Sequence, residues 1–275
     1  MHCSVAIVDG DVMVSKTIQR FQHTMQTRQF LFQQLVNRDF QHRYKGTMLG
    51  MAWSVLSPLC NLAVMLLVFG QLFGRNVDHY IIYLFSGNII MSYYRESTNN
   101  GMASLLANAR IILKINIPKY LFLLSSNISA LINFGLTIGI YFFFCVVDGI
   151  TFTPKVFMLP YSVVCLVVMN IGVGMILSAL YVLFRDLKYL YGIFLTLLNY
   201  LSAIFYTVDR FPVAFQRLLL LNPVYVNILY WRTIVIDQTI PSLSYHLLMA
   251  FYSLLFLAIG SYCYKRLNHR FVYYF

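Results

Sequence analysis

The chain contains six long runs of predominantly apolar residues, and these runs constrain its fold more than any other feature. At 1.5 Å per residue, a helix needs about 20 residues to cross a bilayer core roughly 30 Å thick. Hydrophobic residues make up 60% of the 275 residues and charged residues only 11%, which excludes an ordinary soluble domain. The sequence therefore predicts an all-α membrane protein with six spans, at residues 53–73, 79–94, 120–147, 156–183, 189–206 and 245–264.

The 20 Lys and Arg residues are distributed unevenly among the segments that flank these spans. The side that holds both termini and the loops after spans two and four carries 15 of them, and the opposite side carries five. Because Lys and Arg are enriched on the cytoplasmic side of membrane proteins, the pattern predicts cytoplasmic N- and C-termini. This asymmetry accounts for the net charge of +11, and nucleic acid is not expected as a partner.

A polar, basic segment, residues 30–52, precedes the six-span domain of residues 53–264. Apolar side chains recur there at every fourth position, a spacing typical of an amphipathic helix. The apolar positions are Phe32, Val36, Phe40 and Tyr44, and the basic positions are Arg38, Arg43 and Lys45. We expect this helix to lie along the lipid headgroups, although a surface helix of a soluble domain has the same pattern. Residues 1–29 are predicted to be a loose cytoplasmic leader, and residues 265–275 a cytoplasmic tail.

Residues 207–240, between the fifth and sixth spans, hold two short apolar stretches on either side of Asn222 and Pro223. Neither stretch is long enough to cross a bilayer. A broken helix at membrane depth is tolerated only where protein or a water-filled cavity shelters its backbone. The pattern predicts a re-entrant helix pair that enters from outside, and a pair of interfacial helices lying flat is the alternative.

Two of the predicted spans carry polar residues on one helical face. These residues are Ser54, Ser57, Asn61 and Gln71 in the first span, and Gly192, Thr196, Asn199, Ser202 and Tyr206 in the fifth. Two such stripes could line a shared polar path through the membrane. Helix packing is the alternative, because the same residue types let membrane helices approach closely.

Other polar residues of the spans have a simpler interpretation. Glu96 follows Arg95 directly, so we expect a local ion pair or a solvated helix end at this point. Asn133 is assigned to helix packing. Leu62 and Leu198 are expected to face lipid.

No arrangement of residues typical of an enzyme is found in the sequence. It has no paired membrane carboxylates, no His-Glu-x-x-His motif and no distinctive spacing of Ser, His and Asp. It also has no Gly-Lys dipeptide, so the phosphate-binding P-loop is absent. The five cysteines are scattered singly and predict neither a disulfide framework nor a metal site. We therefore expect no enzyme activity and no cofactor in this chain, and any work against a gradient would draw its energy from another chain.

Three groups of residues form motifs at fixed spacing. The first is Arg38, Asp39, Arg43, Tyr44, Gly46, Leu49, Gly50, Trp53 and Pro58; the second is Phe184, Arg185 and Asp186; the third is Leu221, Asn222 and Pro223. With these motifs, the chain from about residue 30 onwards resembles the permease subunits of ABC transporters that export lipid-linked polysaccharides, such as O-antigen and teichoic acid. Two positions depart from the pattern: Leu113, where the family often has a basic residue, and Ala203, where proline is usual.

The resemblance implies a homodimer of six-span subunits in the bacterial plasma (inner) membrane. Each subunit would dock on an ATPase subunit, which binds ATP and Mg²⁺ and drives export of a polymer carried on a polyprenyl pyrophosphate. The pyrophosphate entrance would be formed by Arg38, Arg43, Lys45, Leu49 and Gly50, and the ATPase contacts by Lys114, Pro118, Lys119, Arg185, Asp186 and Lys188. In such a dimer the two polar stripes would line the channel, with Ser54, Ser57, Asn61, Thr196, Asn199 and Tyr206 as its candidate residues.

Three other functions fit the sequence less well. The nearest is a permease of the same fold that moves a drug or an ordinary lipid. An intramembrane transferase acting on polyprenyl phosphates would need carboxylates or histidines at membrane level, and the spans lack that pattern. A purely structural membrane protein would leave the polar stripes and the basic entrance without a role.

Overall fold

The computed structural model describes residues 29–41, 50–73, 77–114, 117–208, 211–267 and 271, and the regular structure in these ranges is helical. Two 3-10 turns, Gly50–Ala52 and Pro154–Met158, directly precede α2 and α6. The α-helices in chain order are α1 (29–41), α2 (Trp53–Phe73), α3 (Tyr80–Ala107), α4 (Ala109–Lys114), α5 (Tyr120–Val147), α6 (Leu159–Leu183), α7 (Leu187–Leu201), α8 (Val213–Leu219), α9 (Pro223–Val235) and α10 (Leu243–Leu267).

Four helical segments of the described chain are long and apolar enough to cross a membrane: α2, α5, α6 with its preceding turn, and α10. The bent pair of α8 and α9 makes a fifth candidate if it counts as one span. α3 and α7 lie at the predicted second and fifth spans, but α3 contains many polar residues and α7 has only 15 residues. The architecture is that of an all-helical, multi-pass membrane protein, and the count of six spans stays a prediction.

The helix ends agree with the predicted spans for α2 and α5 and differ for α3 and α7. α3 continues beyond residue 94 to Ala107, because the polar part of this helix is buried against protein, as at Ser97 and Thr98. α7 ends at Leu201 rather than at residue 206. Its end is followed by Ala203, whose φ of +48° lies in the left-handed region, which an α-helix cannot accommodate.

Close helix contacts hold α6 at the centre of the bundle, against α3 and α10. A Cβ atom added to Gly172 of α6 would lie 2.5 Å from the backbone nitrogen of Leu257 in α10. On the other side of α6, a Cβ atom on Gly101 of α3 would lie 3.2 Å from the Cα atom of Gly174. Glycine at these positions lets the helix backbones approach each other, as is common between helices in membranes.

A buried arginine fastens α9 to α3 and to the turn after α7. The Nη1 atom of Arg232 donates to the Ala203 carbonyl at 2.9 Å, and its Nη2 atom donates to the carbonyls of Tyr83 at 3.1 Å and Ile204 at 3.2 Å. Its guanidinium carbon lies 3.4 Å from the ring centroid of Tyr83. Carbonyl groups freed at a break between helices need donors where water is absent, and Arg232 supplies them.

The bend between α8 and α9 lies where the sequence predicts it, at Asn222 and Pro223. The Asn222 side-chain oxygen accepts from the backbone nitrogens of Val224 at 3.0 Å and Tyr225 at 3.3 Å, and so caps α9. Pro223 occupies the first helical position, where its missing N–H costs nothing. The 105° angle is compatible with a re-entrant pair and with one broken span, and the re-entrant arrangement stays a prediction.

Candidate functional site

A polar groove with a volume of about 550 Å³ lies between α2, α3 and α5, and we call it the α2–α3–α5 groove. Each of the three helices contributes polar side chains at a spacing of three or four residues, which places them on one face of that helix. They are Ser54, Ser57 and Asn61 from α2, Asn88, Ser92 and Glu96 from α3, and Asn133 and Thr137 from α5. Three residues of the first predicted polar stripe therefore form one wall of a cavity, together with two helices that the sequence analysis had not assigned to it. The fourth, Gln71, is exposed and does not line this cavity.

Hydrogen bonds orient several of these side chains. The Asn133 amide nitrogen donates to a carboxylate oxygen of Glu96 at 3.0 Å, and the Asn61 amide nitrogen donates to the Ser57 carbonyl at 3.0 Å. The aromatic rings of Tyr93 and Phe134 stack with centroids 4.4 Å apart and also line the groove. The groove thus combines amides, hydroxyls, one carboxyl group and aromatic surface, a set of groups that can bind hydroxyl-rich molecules.

This arrangement bears on two expectations for single residues, Glu96 and Asn133. Glu96 faces the groove and is bonded to Asn133 of α5, whereas the adjacent Arg95 lines a different cavity. Asn133 packs against α3, as expected, and it also lines the groove. The spacing of positions 88, 92 and 96 was visible in the sequence, but the second span was predicted to end before Glu96.

The second polar stripe, on α7, does not face the α2–α3–α5 groove within one protomer. Thr196 is exposed and its hydroxyl donates to the Gly192 carbonyl at 3.1 Å. Asn199 is half-buried, and the Tyr206 hydroxyl donates to the Tyr200 carbonyl at 3.1 Å. The two stripes are therefore separate in the monomer, and a channel lined by both would require a second copy of the chain.

The expectation that Leu62 and Leu198 face lipid was wrong. Their side chains are only 3% and 8% exposed, because both pack into the main hydrophobic core. On α2, the exposed apolar face instead contains Leu67, at 79% exposure, and Val64.

A second cavity, of about 400 Å³, lies between α3, α7 and the C-terminal end of α6, and we call it the α3–α7 pocket. Its lining includes Arg95 and Asn99 from α3, and Lys188, Gly192 and Thr196 from α7. Lys188 was predicted to contact an ATPase and Thr196 to line a channel. The structure brings these two residues together with Arg95 in one pocket.

The amphipathic helix α1 is attached to the bundle through its Arg38–Asp39 pair. The guanidinium of Arg38 donates to Asp39 at 2.7 Å and to the Asn108 side chain at 2.8 Å, while Asp39 accepts from the Ser125 hydroxyl at 3.0 Å. Arg38 therefore has an anchoring role in addition to the predicted role at an entrance. Of the other predicted entrance residues, Gly50 begins a 3-10 turn, whereas Arg43, Lys45 and Leu49 lie outside the described residues.

The residues predicted to contact an ATPase lie at the ends of helices. Lys114 ends α4 and is exposed, while Arg185 and Asp186 form the exposed turn between α6 and α7. Pro118 and Lys119 directly precede α5. The Lys119 ammonium lies 5.3 Å from the centroid of the Phe271 ring, and partial burial lowers the pKa of Lys119.

The described part of the chain contains no metal site, because no group of three His, Cys, Asp or Glu residues there is close enough to hold an ion. The four cysteines described there are free thiols.

Comparison with known proteins agrees with a transport function. The family model for the ABC-2 type transporter matches residues 30–228. An O-antigen export system permease protein RfbA of Klebsiella pneumoniae is 29% identical over 246 residues, which cover 88% of this chain and 95% of the relative. A second Klebsiella pneumoniae protein of the same name is 28% identical over 250 residues, with the same coverage. The RfbA protein of Myxococcus xanthus is 24% identical over 209 residues, covering 75% of this chain and 80% of the relative.

The family match spans most of the chain, from the amphipathic helix α1 to the middle of α9. It therefore includes the α2–α3–α5 groove, the α3–α7 pocket and the bend at Asn222. The chain belongs to the ABC-2 type transporter family of membrane proteins.

Proposed function

We propose that this chain is the membrane subunit of an ATP-driven exporter that moves a polysaccharide carried on a polyprenyl pyrophosphate out of the cytoplasm. The observation that carries the proposal is the similarity to O-antigen export permeases over 88% of the chain. In this proposal the protein crosses the bacterial inner membrane six times, with both termini in the cytoplasm. A separate ATPase subunit supplies the energy, because this chain has no P-loop.

The chemistry of the α2–α3–α5 groove favours a hydroxyl-rich cargo. Removing a hydroxyl group from water without a new hydrogen bond costs several kcal/mol, so a sugar chain in the membrane needs polar groups along its path. Ser57 and Asn61 are exposed, and Asn88, Ser92 and Thr137 also face the groove. Side chains that form single, exchangeable hydrogen bonds suit a polymer that must slide through the site.

A homodimer is the assembly in which such a path closes. α2 exposes Val64 and Leu67, and α7 exposes Ile193 and Leu197, so both helices have apolar faces that contact either lipid or a second subunit. Two copies related by a two-fold axis would bring two α2 and two α7 helices around one central path. The separation of the polar stripes within one protomer is consistent with this assembly.

A permease for a drug or an ordinary lipid is the main alternative, since the same family could carry either cargo. Such cargo is largely apolar and would need fewer hydrogen-bonding groups than the groove supplies. An intramembrane transferase is less well supported. Among the described residues that line the groove, Glu96 is the one with a carboxyl group, and no other acidic residue lines the groove beside it.

The proposal is tested by reconstitution into lipid vesicles. The chain and its ATPase are inserted together, and the polymer on its polyprenyl diphosphate is added outside with ATP. We expect polymer to accumulate inside only when both proteins and hydrolysable ATP are present, and we expect the chain alone to hydrolyse no ATP. Movement of phospholipid or of a drug-like dye without movement of polymer would instead support the alternative.

A further inference from the structure

The α3–α7 pocket contains two positive charges, and the described residues around them include no acidic partner. Among the described residues that line it, Arg95 and Lys188 are charged, and none is acidic. Among the described residues, neither side chain has an ion pair or a side-chain hydrogen bond. Glu96, the nearest carboxylate along the chain to Arg95, faces the other groove and is bonded to Asn133.

Two other arginines of the described chain differ from Arg95 in having side-chain partners. Arg38 is held by Asp39 and Asn108, and Arg232 is buried with its donors directed at backbone carbonyls. Those two guanidinium groups have protein partners that account for their positions. Arg95 and Lys188 are instead exposed and line a cavity of about 400 Å³, where one anion can pair with both charges.

The other residues that line the pocket indicate which kind of anion would fit it. Asn99 lies four residues after Arg95 on the same face of α3, and its amide can donate to a phosphate oxygen. Gly192 leaves space at the wall, since a Cβ atom there would meet nothing within 4 Å. Met102 and Leu195 provide an apolar side. A pocket with two cations, an amide and an apolar wall suits a phosphate group that is attached to a lipid chain.

We propose that Arg95 and Lys188 form a binding site for the phosphate groups of a lipid. Under the proposed function, on which this assignment rests, the ligand is the diphosphate of the polyprenyl carrier, and the site holds it before the sugar chain enters the membrane. A phospholipid headgroup has the same phosphate chemistry and is the other possible source. Arginine provides a bidentate fork for phosphate and lysine a mobile point charge.

Binding is measured on the full chain in complex with its ATPase, in detergent. The probes are farnesyl diphosphate, its uncharged counterpart farnesol, inorganic pyrophosphate and phosphatidylglycerol. We expect farnesyl diphosphate to bind and farnesol not to bind. Arg95→Gln and Lys188→Gln should each weaken farnesyl diphosphate binding roughly tenfold, as expected for loss of one charge-assisted hydrogen bond. Arg217→Gln, which removes an exposed cation of α8, is the matched control and should bind as the wild type does.

A second measurement remains informative if the glutamine variants do not fold. Thr196→Cys is introduced after Cys3, Cys60 and Cys263 have been replaced by serine, and its reaction with a water-soluble thiol reagent is timed. Farnesyl diphosphate should slow this reaction several-fold, whereas farnesol should not. Thr196 is a suitable reporter because it is exposed and lines the pocket.

The outcomes separate the site from the transport function. Equal protection by phosphatidylglycerol would assign the pocket to a phospholipid headgroup. Unchanged binding in both glutamine variants, or equal protection by farnesol, would overturn the site while leaving polymer export as a separate question. Loss of ATPase co-purification in Lys188→Gln, with binding unchanged, would return Lys188 to the coupling surface. If the vesicles export no polymer but the diphosphate still binds, the transport proposal fails and the site stands.

Discussion

α6 and α2 are helices of 25 and 21 residues with similarly apolar sequences, yet they are packed very differently. Thirteen of the 25 residues of α6 are buried. Among the described side chains of α2, the buried ones are Ser54 and Leu62. The difference comes from small residues. In α6, Gly172 and Gly174 lie at close contacts with neighbouring helices, whereas a Cβ atom added to Gly70 of α2 would have no neighbour within 4 Å. Hydropathy places both helices in the membrane, and steric fit decides which one forms the scaffold.

The polar groups of the two regions differ in the same way. In the scaffold, Arg232 is buried and its donors are bonded to carbonyls of Ala203, Ile204 and Tyr83. On α2, Ser57 and Asn61 are exposed and line a cavity. Polar groups with fixed protein partners stabilise the fold, and polar groups that face open volume are available to a substrate. We infer that the molecule combines a rigid scaffold of α3, α6, α9 and α10 with a polar, loosely packed side that carries cargo.

The largest expected effect is the loss of the scaffold on Gly172→Leu. Any side chain at this position would overlap the α10 backbone, because even a Cβ atom would lie 2.5 Å from Leu257 N. Overpacking of a tight contact costs about 1–3 kcal/mol even for small insertions, so a leucine should prevent folding. Gly139→Leu in α5, where a Cβ meets nothing within 4 Å, is the control. Size-exclusion profiles in detergent should show folded protein for the control only, and equal recovery would contradict the assignment of α6 as scaffold.

The next largest effect is a loss of stability on replacing Arg232. This substitution tests whether the turn after α7 depends on one side chain. Arg232→Met keeps the volume roughly the same but removes the hydrogen bonds to the carbonyls of Ala203, Ile204 and Tyr83, of which those of Ala203 and Tyr83 keep a second, hydroxyl donor. We expect the free energy of unfolding to fall by about 3 kcal/mol, because each unsatisfied buried group costs 1–3 kcal/mol. Denaturation in detergent measures this change, with Arg217→Met on exposed α8 as the matched control. Equal stability of the two variants would show that the turn at Ala203 holds without the arginine.

A smaller effect is expected at the attachment of α1, where Asp39→Asn separates two roles of Arg38. The substitution weakens the ion pair with Arg38 and the acceptor for Ser125, at a cost of about 1 kcal/mol for this partly exposed pair. If Arg38 acts as an anchor, Asp39→Asn and Arg38→Gln should lower polymer export to a similar extent. If Arg38 instead binds pyrophosphate, Asp39→Asn would leave export intact and Arg38→Gln alone would reduce it.

The sequence predicts the membrane helices better than it predicts the site. The ends of α2 and α5 could be read directly, because each run is apolar up to a polar boundary. The continuation of α3 past residue 94 could not, since hydropathy does not distinguish a polar helix in water from one buried against protein, as at Ser97. Arg232 lies between the predicted fifth and sixth spans, so it was counted among the five basic residues on the side opposite the termini. Nothing near it in sequence marks the carbonyls of α3 and of the turn after α7 that it binds.

The site itself shows the same limit. Ser54, Ser57 and Asn61 were identified by their helical spacing, and that stripe does line a cavity. The partners of that stripe on α3 and α5 depend on how three helices are placed in space, so one-helix periodicity could not find them. The stripe on α7 was equally regular, yet in the protomer it borders another pocket.

The contrast between the packed scaffold and the α2–α3–α5 groove is tested most directly by the accessibility of single cysteines during export. Single cysteines at Ser57, Asn61 and Ser92 line the groove, Leu67 faces outward from α2, and Ser162 is fully buried in α6. With a small, water-soluble thiol reagent we expect reaction at the three groove positions only, and bulky adducts at Asn61 or Ser92 should stop polymer export in vesicles. Reaction at Leu67 as fast as at Asn61, or full export after modification of the groove, would contradict the account and return the polar stripe of α2 to helix packing.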